Sequence, residues 1–284
     1  MIFKVVHLKN VYTELGSDSL DPTMTIYLPD NLSEMGRQQQ KRPCLLICPG
    51  GAYAMCSQRE AEPIALQFLS EGFNVFVLNY SVAPSRFPTQ LREIACAMEC
   101  IYQNADAWHC DLDRIAIMGF SAGGHLAAQY SNAFDWREIR EIFPNSKPVQ
   151  AVVLCYPVIT ADDQFAHKWS FENLLGHLPE TDEEVKRFSC NQQVTHYTPP
   201  TFLWHTATDN CVSVMNSLLY AQALAENHVP FTAHIYPAGD HGLATADMQT
   251  NTCLEPAAAS ANSWISSAKE WLRFTLKIYT ATVS

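Results

Sequence analysis

Long apolar runs are missing from this 284-residue chain; stretches such as Cys44–Cys48 and Val75–Leu78 fall far short of a membrane-spanning helix. The first nine residues, Met1–Lys9, lack the extended apolar core of a signal peptide. Basic residues are also few. Lys and Arg number 18 against 29 Asp and Glu, for a formal net charge of −11 and a pI near 5.3. That balance argues against nucleic acid, whose phosphates need a basic face, and suits neutral substrates better than polyanions. No Cys-x-x-Cys occurs among the ten cysteines, and Cys96 and Cys100, four apart on one helix face, have no His or acid grouped with them as a metal set would require. Reduced core thiols in a cytoplasmic protein are therefore expected. Low-complexity tracts, internal repeats and linkers are absent too, so residues 1–284 read as one domain. Weak periodicity over about 158–198 marks a small cap or insertion.

What is present alternates strand and helix. Met24–Leu28, Cys44–Cys48, Asn74–Tyr80, Arg114–Phe120, Val149–Tyr156, Pro199–Thr206 and Phe231–Tyr236 read as strands. Several are continuously apolar, the mark of a strand covered on both faces. Between them, helices are predicted over about Arg59–Ser70, along the stripe Leu91, Ile94, Ala95, Met98, Ile101 and Tyr102, over Val214–Glu226, and at the carboxyl end through Trp264 and Trp271. The polar stretch Ser33–Lys41 reads as an exposed loop. This alternation implies a mostly parallel sheet with helices on both faces.

Glycine is scarce, 11 of 284 residues, yet Gly119 and Gly123 bracket a serine between a strand and a helix: Gly119-Phe120-Ser121-Ala122-Gly123. This is the G-x-S-x-G pattern, a sharp turn that lifts a serine oxygen above a sheet. Ligands of parallel sheets gather beyond the strands' carboxyl ends. Asp209 follows one later strand and His241, flanked by Gly239 and Gly242, follows the last. The order Ser121, Asp209, His241 suits a nucleophile, an orienting acid and a general base, chemistry that needs no metal and no organic cofactor. Asp162, Asp163, Asp240 and Asp247 are rival acids; Asp240 adjoins His241 too closely to orient its ring, and Asp162 and Asp163 lie in the cap. The loop Pro49-Gly50-Gly51-Ala52-Tyr53 after an earlier strand is built for close backbone approach. With the Ala122 N–H, its Gly51 and Ala52 N–H groups would bind a developing oxyanion. Tyr53 and Met55 beside that loop, and Trp169 and Phe171 in the cap, are candidate pocket walls.

These motifs, with Tyr80-Ser81-Val82-Ala83-Pro84 and Asp209-Asn210-Cys211-Val212, resemble the α/β-hydrolase esterases. The likeness is greatest to the small bacterial branch called acetyl-xylan-esterase-like, related to the hormone-sensitive-lipase group, and it runs from about Pro43 to the last helix. It implies an α/β-hydrolase fold and a serine esterase for small acyl groups, acetyl first, on sugars or short xylo-oligosaccharides. The expected partner is a small-molecule ester, with a homodimer left open and neither nucleic acid nor membrane called for. There are departures from the pattern: Pro49 stands where lipase-type loops carry His, Ser81 where many relatives carry Arg, and Ser213 where Pro often follows the valine. The anchor that such a His provides must come from elsewhere. Two alternatives stay open: a formamidase or peptidase using the same three residues, and a non-catalytic binding module of hydrolase fold.

Overall fold

The computed structural model describes residues 1–278; the domain boundary expected at Ser284 lies outside them. The described residues form eight strands: β1 (Ile2–His7), β2 (Thr23–Leu28), β3 (Arg42–Cys48), β4 (Asn74–Asn79), β5 (Cys110–Phe120), β6 (Ala151–Cys155), β7 (Thr201–Thr206) and β8 (Phe231–Tyr236). They make one sheet in the order β1-β2-β4-β3-β5-β6-β7-β8. β2 pairs antiparallel with β1 and β4, and the pairs from β4 through β3 to β8 are parallel.

Alternation along β3 sends its side chains to two cores. Cys44, Leu46 and Cys48 pack with the helices Thr89–Gln103 and Ser121–Ala133; Leu45 and Ile47 pack with the helices Glu62–Leu69 and Trp264–Thr275. Burial on both faces is what makes β3 read as unbroken apolar sequence. On the second face Trp204 and Trp264 stack at 5.3 Å and 18°. Rings of this kind each remove roughly 150–250 Å² from water, worth several kcal/mol at about 25 cal/mol/Å².

Some elements differ from expectation. β1, not among the strands read from the sequence, lies at the sheet edge with Ile2, Phe3 and Val5 exposed, and Lys4 splits its apolar residues into two pairs too short to read as a run. β5 begins at Cys110 rather than Arg114, since the polar residues Asp111, Asp113 and Arg114 break the apolar pattern over its first half. The helix expected over about Arg59–Ser70 opens instead as a 3₁₀ turn, Gln58–Glu60, before an α-helix from Glu62 with Pro63 in its first turn. The insertion 158–198 contains the helices Lys168–Leu175 and Asp182–Phe188.

All ten cysteines are free, and Cys44, Cys48 and Cys155 are buried in strands. Among the described residues no helix is long and apolar enough to cross a membrane.

Register positions the site. Cys48 lies level with Gly119, Phe120 with Cys155, Cys155 with Trp204, and Thr206 with Tyr236. The loops after β3, β5, β7 and β8 therefore leave one edge of the sheet together, as parallel strands with aligned ends require.

Candidate active site

At the end of β5 the chain turns within one residue into the helix Ser121–Ala133, with Ser121 at φ 51°. A non-glycine residue in this left-handed region is strained and persists only where its surroundings force it. Crowding supplies the force. A Cβ on Gly119 would overlap the Gly123 carbonyl, and one on Gly123 would overlap the carbonyls of Cys48 and Pro49. Only glycine lets these backbones meet.

The turn delivers Ser121 Oγ to 2.7 Å from His241 Nε2, and His241 Nδ1 lies 2.7 Å from Asp209 Oδ2. Because the carboxylate only accepts, Nδ1–H donates to it and Nε2 is left to accept the serine proton. Asp209 Oδ1 also accepts the Cys211 and Val212 N–H groups, each at 2.9 Å. Burial works to raise the Asp209 pKa, but hydrogen bonds from His205, His241 and the Cys211 N–H prevail and hold it well below the usual carboxylate range. Asp240 instead accepts from Asn210 Nδ2 at 3.0 Å.

His205 is a second imidazole on this acid. Fully buried in β7, it brings Nε2 to 3.1 Å from Asp209 Oδ2 and 3.0 Å from the Val212 carbonyl. Both neighbours accept, so Nε2 carries a proton. Its Nδ1 then accepts from Ser217 Oγ, at 2.8 Å. Asp209 is thus gripped on both sides.

Gly51, Ala52 and Ser121 line one cavity of about 400 Å³, which Met55 and Trp169 also line. Among the described residues the Gly51 and Ala52 N–H groups have no hydrogen-bond acceptor. Ala122 lies in the first turn of its helix, where N–H groups lack intrahelical partners.

Pro49 needs a substitute anchor, and several side chains provide it. Tyr80 Oη donates to the Pro49 carbonyl at 2.7 Å, and the Gly50 N–H donates to Glu60 Oε2 at 2.7 Å. Asn173 Nδ2, from the insertion, donates to the Ala52 carbonyl at 2.9 Å. Buried Glu60 also accepts from Tyr156 Oη at 2.7 Å, and that oxygen accepts the Ala244 N–H at 3.0 Å. One carboxyl therefore ties the loop carrying Gly51 to the loop carrying His241. Burial pushes its pKa up; the hydrogen bonds and the nearby His241 and Arg59 oppose the shift.

Two of the expected pocket walls are elsewhere. Tyr53 and Phe171 are each 1% exposed. The loop passes through positive φ at Ala52 and Tyr53, and Tyr53 Oη reaches His125 Nδ1 at 2.9 Å. Phe171 packs edge-on against the same imidazole, with ring centres 5.4 Å apart. Burial pushes His125 down to about 4, so it is neutral, with Nε2–H donated to the Phe188 carbonyl. These rings fill the core beneath the site rather than line it.

His205, Glu60, Asn173 and Tyr156 are not identifiable as site residues in the sequence. Only His205 carries a signal, a polar residue inside an apolar strand four positions before Asp209. No group of three or more His, Cys, Asp or Glu among the described residues is arranged to hold a metal.

A nucleophile turn on β5, an acid after β7 and a histidine after β8 of a mostly parallel sheet define the α/β-hydrolase class. Within it, the chain belongs to the BD-FAE family, whose model matches residues 24–224. It is 38% identical over 231 residues to endo-1,4-beta-xylanase B of Butyrivibrio fibrisolvens, covering 78% of this chain and 35% of that protein. To the acetylxylan esterase of Xylanibacter ruminicola it is 31% identical over 230 residues, covering 80% of this chain and 44% of that one. The chain thus spans less than half the length of either relative. The crystal structure of an acetyl ester-xyloside bifunctional hydrolase from Caldicellulosiruptor lactoaceticus superimposes with a TM-score of 0.78 at 32% identity, over 95% of this chain and 96% of that one.

Proposed function

We propose that this protein is a serine carboxylesterase for small acyl esters, acetyl first. The observation that carries the reading is the continuous relay Ser121 Oγ, His241 Nε2, His241 Nδ1, Asp209 Oδ2, with both links at 2.7 Å. Ser121 attacks the ester carbonyl while His241 takes its proton, then returns it to the departing alcohol. Asp209 holds the imidazole tautomer and stabilises the imidazolium. The N–H groups of Gly51, Ala52 and Ala122 stabilise the oxyanion, and water then hydrolyses the acyl-enzyme. The family, the acetylxylan esterase relative and the acetyl ester-xyloside hydrolase structure support an acetylated sugar as substrate. A cavity of about 400 Å³, with Met55 and Trp169 in its wall, supports a short acyl chain.

The test is a p-nitrophenyl ester series from acetate to octanoate, run beside acetylated xylo-oligosaccharides. kcat/KM should decline towards octanoate. Ser121→Ala and His241→Ala should lower kcat by about 10⁵–10⁶, and Asp209→Asn by about 10⁴, with the fold retained. An optimum at octanoate would overturn the acyl assignment. Near-parental turnover by the Ser121→Ala protein would overturn the mechanism.

A further inference from the structure

Beyond Gln58 and Arg59 the catalytic cavity adjoins a second hollow of about 940 Å³, and these two residues stand in the walls of both. Its volume lies within the roughly 300–1,000 Å³ of ordinary ligand sites. Arg59 stands at the junction: a Cβ on Gly242, the residue after His241, would come 3.1 Å from its Nη2. The side chains of Gln58, Arg59 and Gln249, all exposed and lining the second hollow, make no hydrogen bond or ion pair among the described residues. Asp21, paired with His7 Nδ1 at 3.0 Å, and Glu62, which accepts from Tyr27 Oη at 3.2 Å, bring two carboxylates to the same hollow.

Ligand chemistry follows from this lining. Leu20, Ala61, Pro63, Tyr80 and Val82 give the hollow apolar wall as well, but an apolar chain lying there would strip water from the amide, guanidinium and carboxylate heads without replacing those hydrogen bonds. An anion would meet Asp21, Glu62 and a chain of net charge −11. A neutral molecule with many hydroxyls offers each head a donor or an acceptor. We propose that this hollow is the subsite for the alcohol side of the ester, a neutral sugar chain that presents its acyl group to Ser121 past Arg59. The proposal rests on the esterase reading and goes beyond it by assigning the leaving group a place.

Gln249→Trp tests it, because the substitution adds an indole to the second hollow and leaves the lining of the catalytic cavity alone. The ratio of kcat/KM for acetylated xylotriose to that for p-nitrophenyl acetate should fall about tenfold. A ratio within about twofold of the parent's overturns the subsite. Calorimetric titration of Ser121→Ala with unacetylated xylotriose gives a reading that needs no turnover. Binding that Gln249→Trp weakens about fivefold or more supports the subsite; equal binding, or none at about 10 mM, overturns it. Failure of the parent protein to hydrolyse p-nitrophenyl acetate would count against the esterase reading, while the titration would still decide the subsite.

Discussion

The loop after β5 and the loop after β3 meet at Ser121 but are held by different means. After β5, main chain rests on main chain: Gly119 lies against the Gly123 carbonyl, and Gly123 against the carbonyls of Cys48 and Pro49. After β3, the loop hangs on side chains from other segments: Glu60, Tyr80 and Asn173 hold the backbone of residues 49–52. Backbone crowding tolerates no added atom. A side-chain lattice spreads its support over several hydrogen bonds, each worth on the order of 1 kcal/mol net, so removing one should loosen the loop without destroying it.

This contrast breaks most sharply at Gly123. Gly123→Ala should lower kcat/KM by about 10³ and cost roughly 1–3 kcal/mol, read as a fall in Tm, because the methyl has nowhere to go. Near-parental activity in that variant would show that the turn can relax.

A smaller effect is expected on the other side. Glu60→Gln keeps the size of the side chain but sets an amide NH₂ against one of two donors, the Gly50 N–H or Tyr156 Oη. kcat should fall about 10–100-fold with little change in KM, since the loop it orients acts on the transition state. A rise in KM with kcat unchanged would make Glu60 part of substrate binding instead.

The same carboxyl has a pH signature. Its folded pKa lies above the unfolded value of about 4.3, so the folded protein holds the proton longer. Stability from this group is therefore greatest below the unfolded pKa and declines as pH rises through the folded one. The Tm of Glu60→Gln relative to the parent should be higher at pH 8 than at pH 4. Asp209 has the opposite sign. Its folded pKa is depressed, so its contribution is present above about 3.9 and lost as pH falls through the folded value; Asp209→Asn should destabilise more at pH 7 than at pH 3.

The smallest expected effect on catalysis belongs to Tyr53. Tyr53→Phe leaves His125 Nδ1 buried without its donor, at a cost of about 1–3 kcal/mol in thermal or urea unfolding. The acyl-chain profile should not move, whereas Trp169→Ala, at the cavity wall, should shift it towards longer chains. A shifted profile in Tyr53→Phe would mean that the ring reaches the substrate after all.

Strand order along the chain, the mostly parallel sheet and the turn at Ser121 were legible in the sequence, because each depends on local pattern. Continuous apolar runs mark strands covered on both faces, and a glycine pair around a serine marks a backbone with no room for side chains. The rule that ligands gather at strand ends, together with the chain order serine, acid, histidine, picks out Asp209 and His241; the aligned registers then bring their side chains into contact. What the tertiary structure alone decided is how those groups are held. His205 reaches Asp209 from inside β7, Glu60 turns inward from a 3₁₀ turn, and Asn173 arrives 121 residues after the carbonyl it binds. Tyr53 and Phe171 close on His125 instead of the cavity, because positive φ at Ala52 and Tyr53 and packing against the helix Ser121–Ala133 govern their direction. Residue type states what a side chain can bond. Which partner it finds depends on distances set only once every strand and helix is in place.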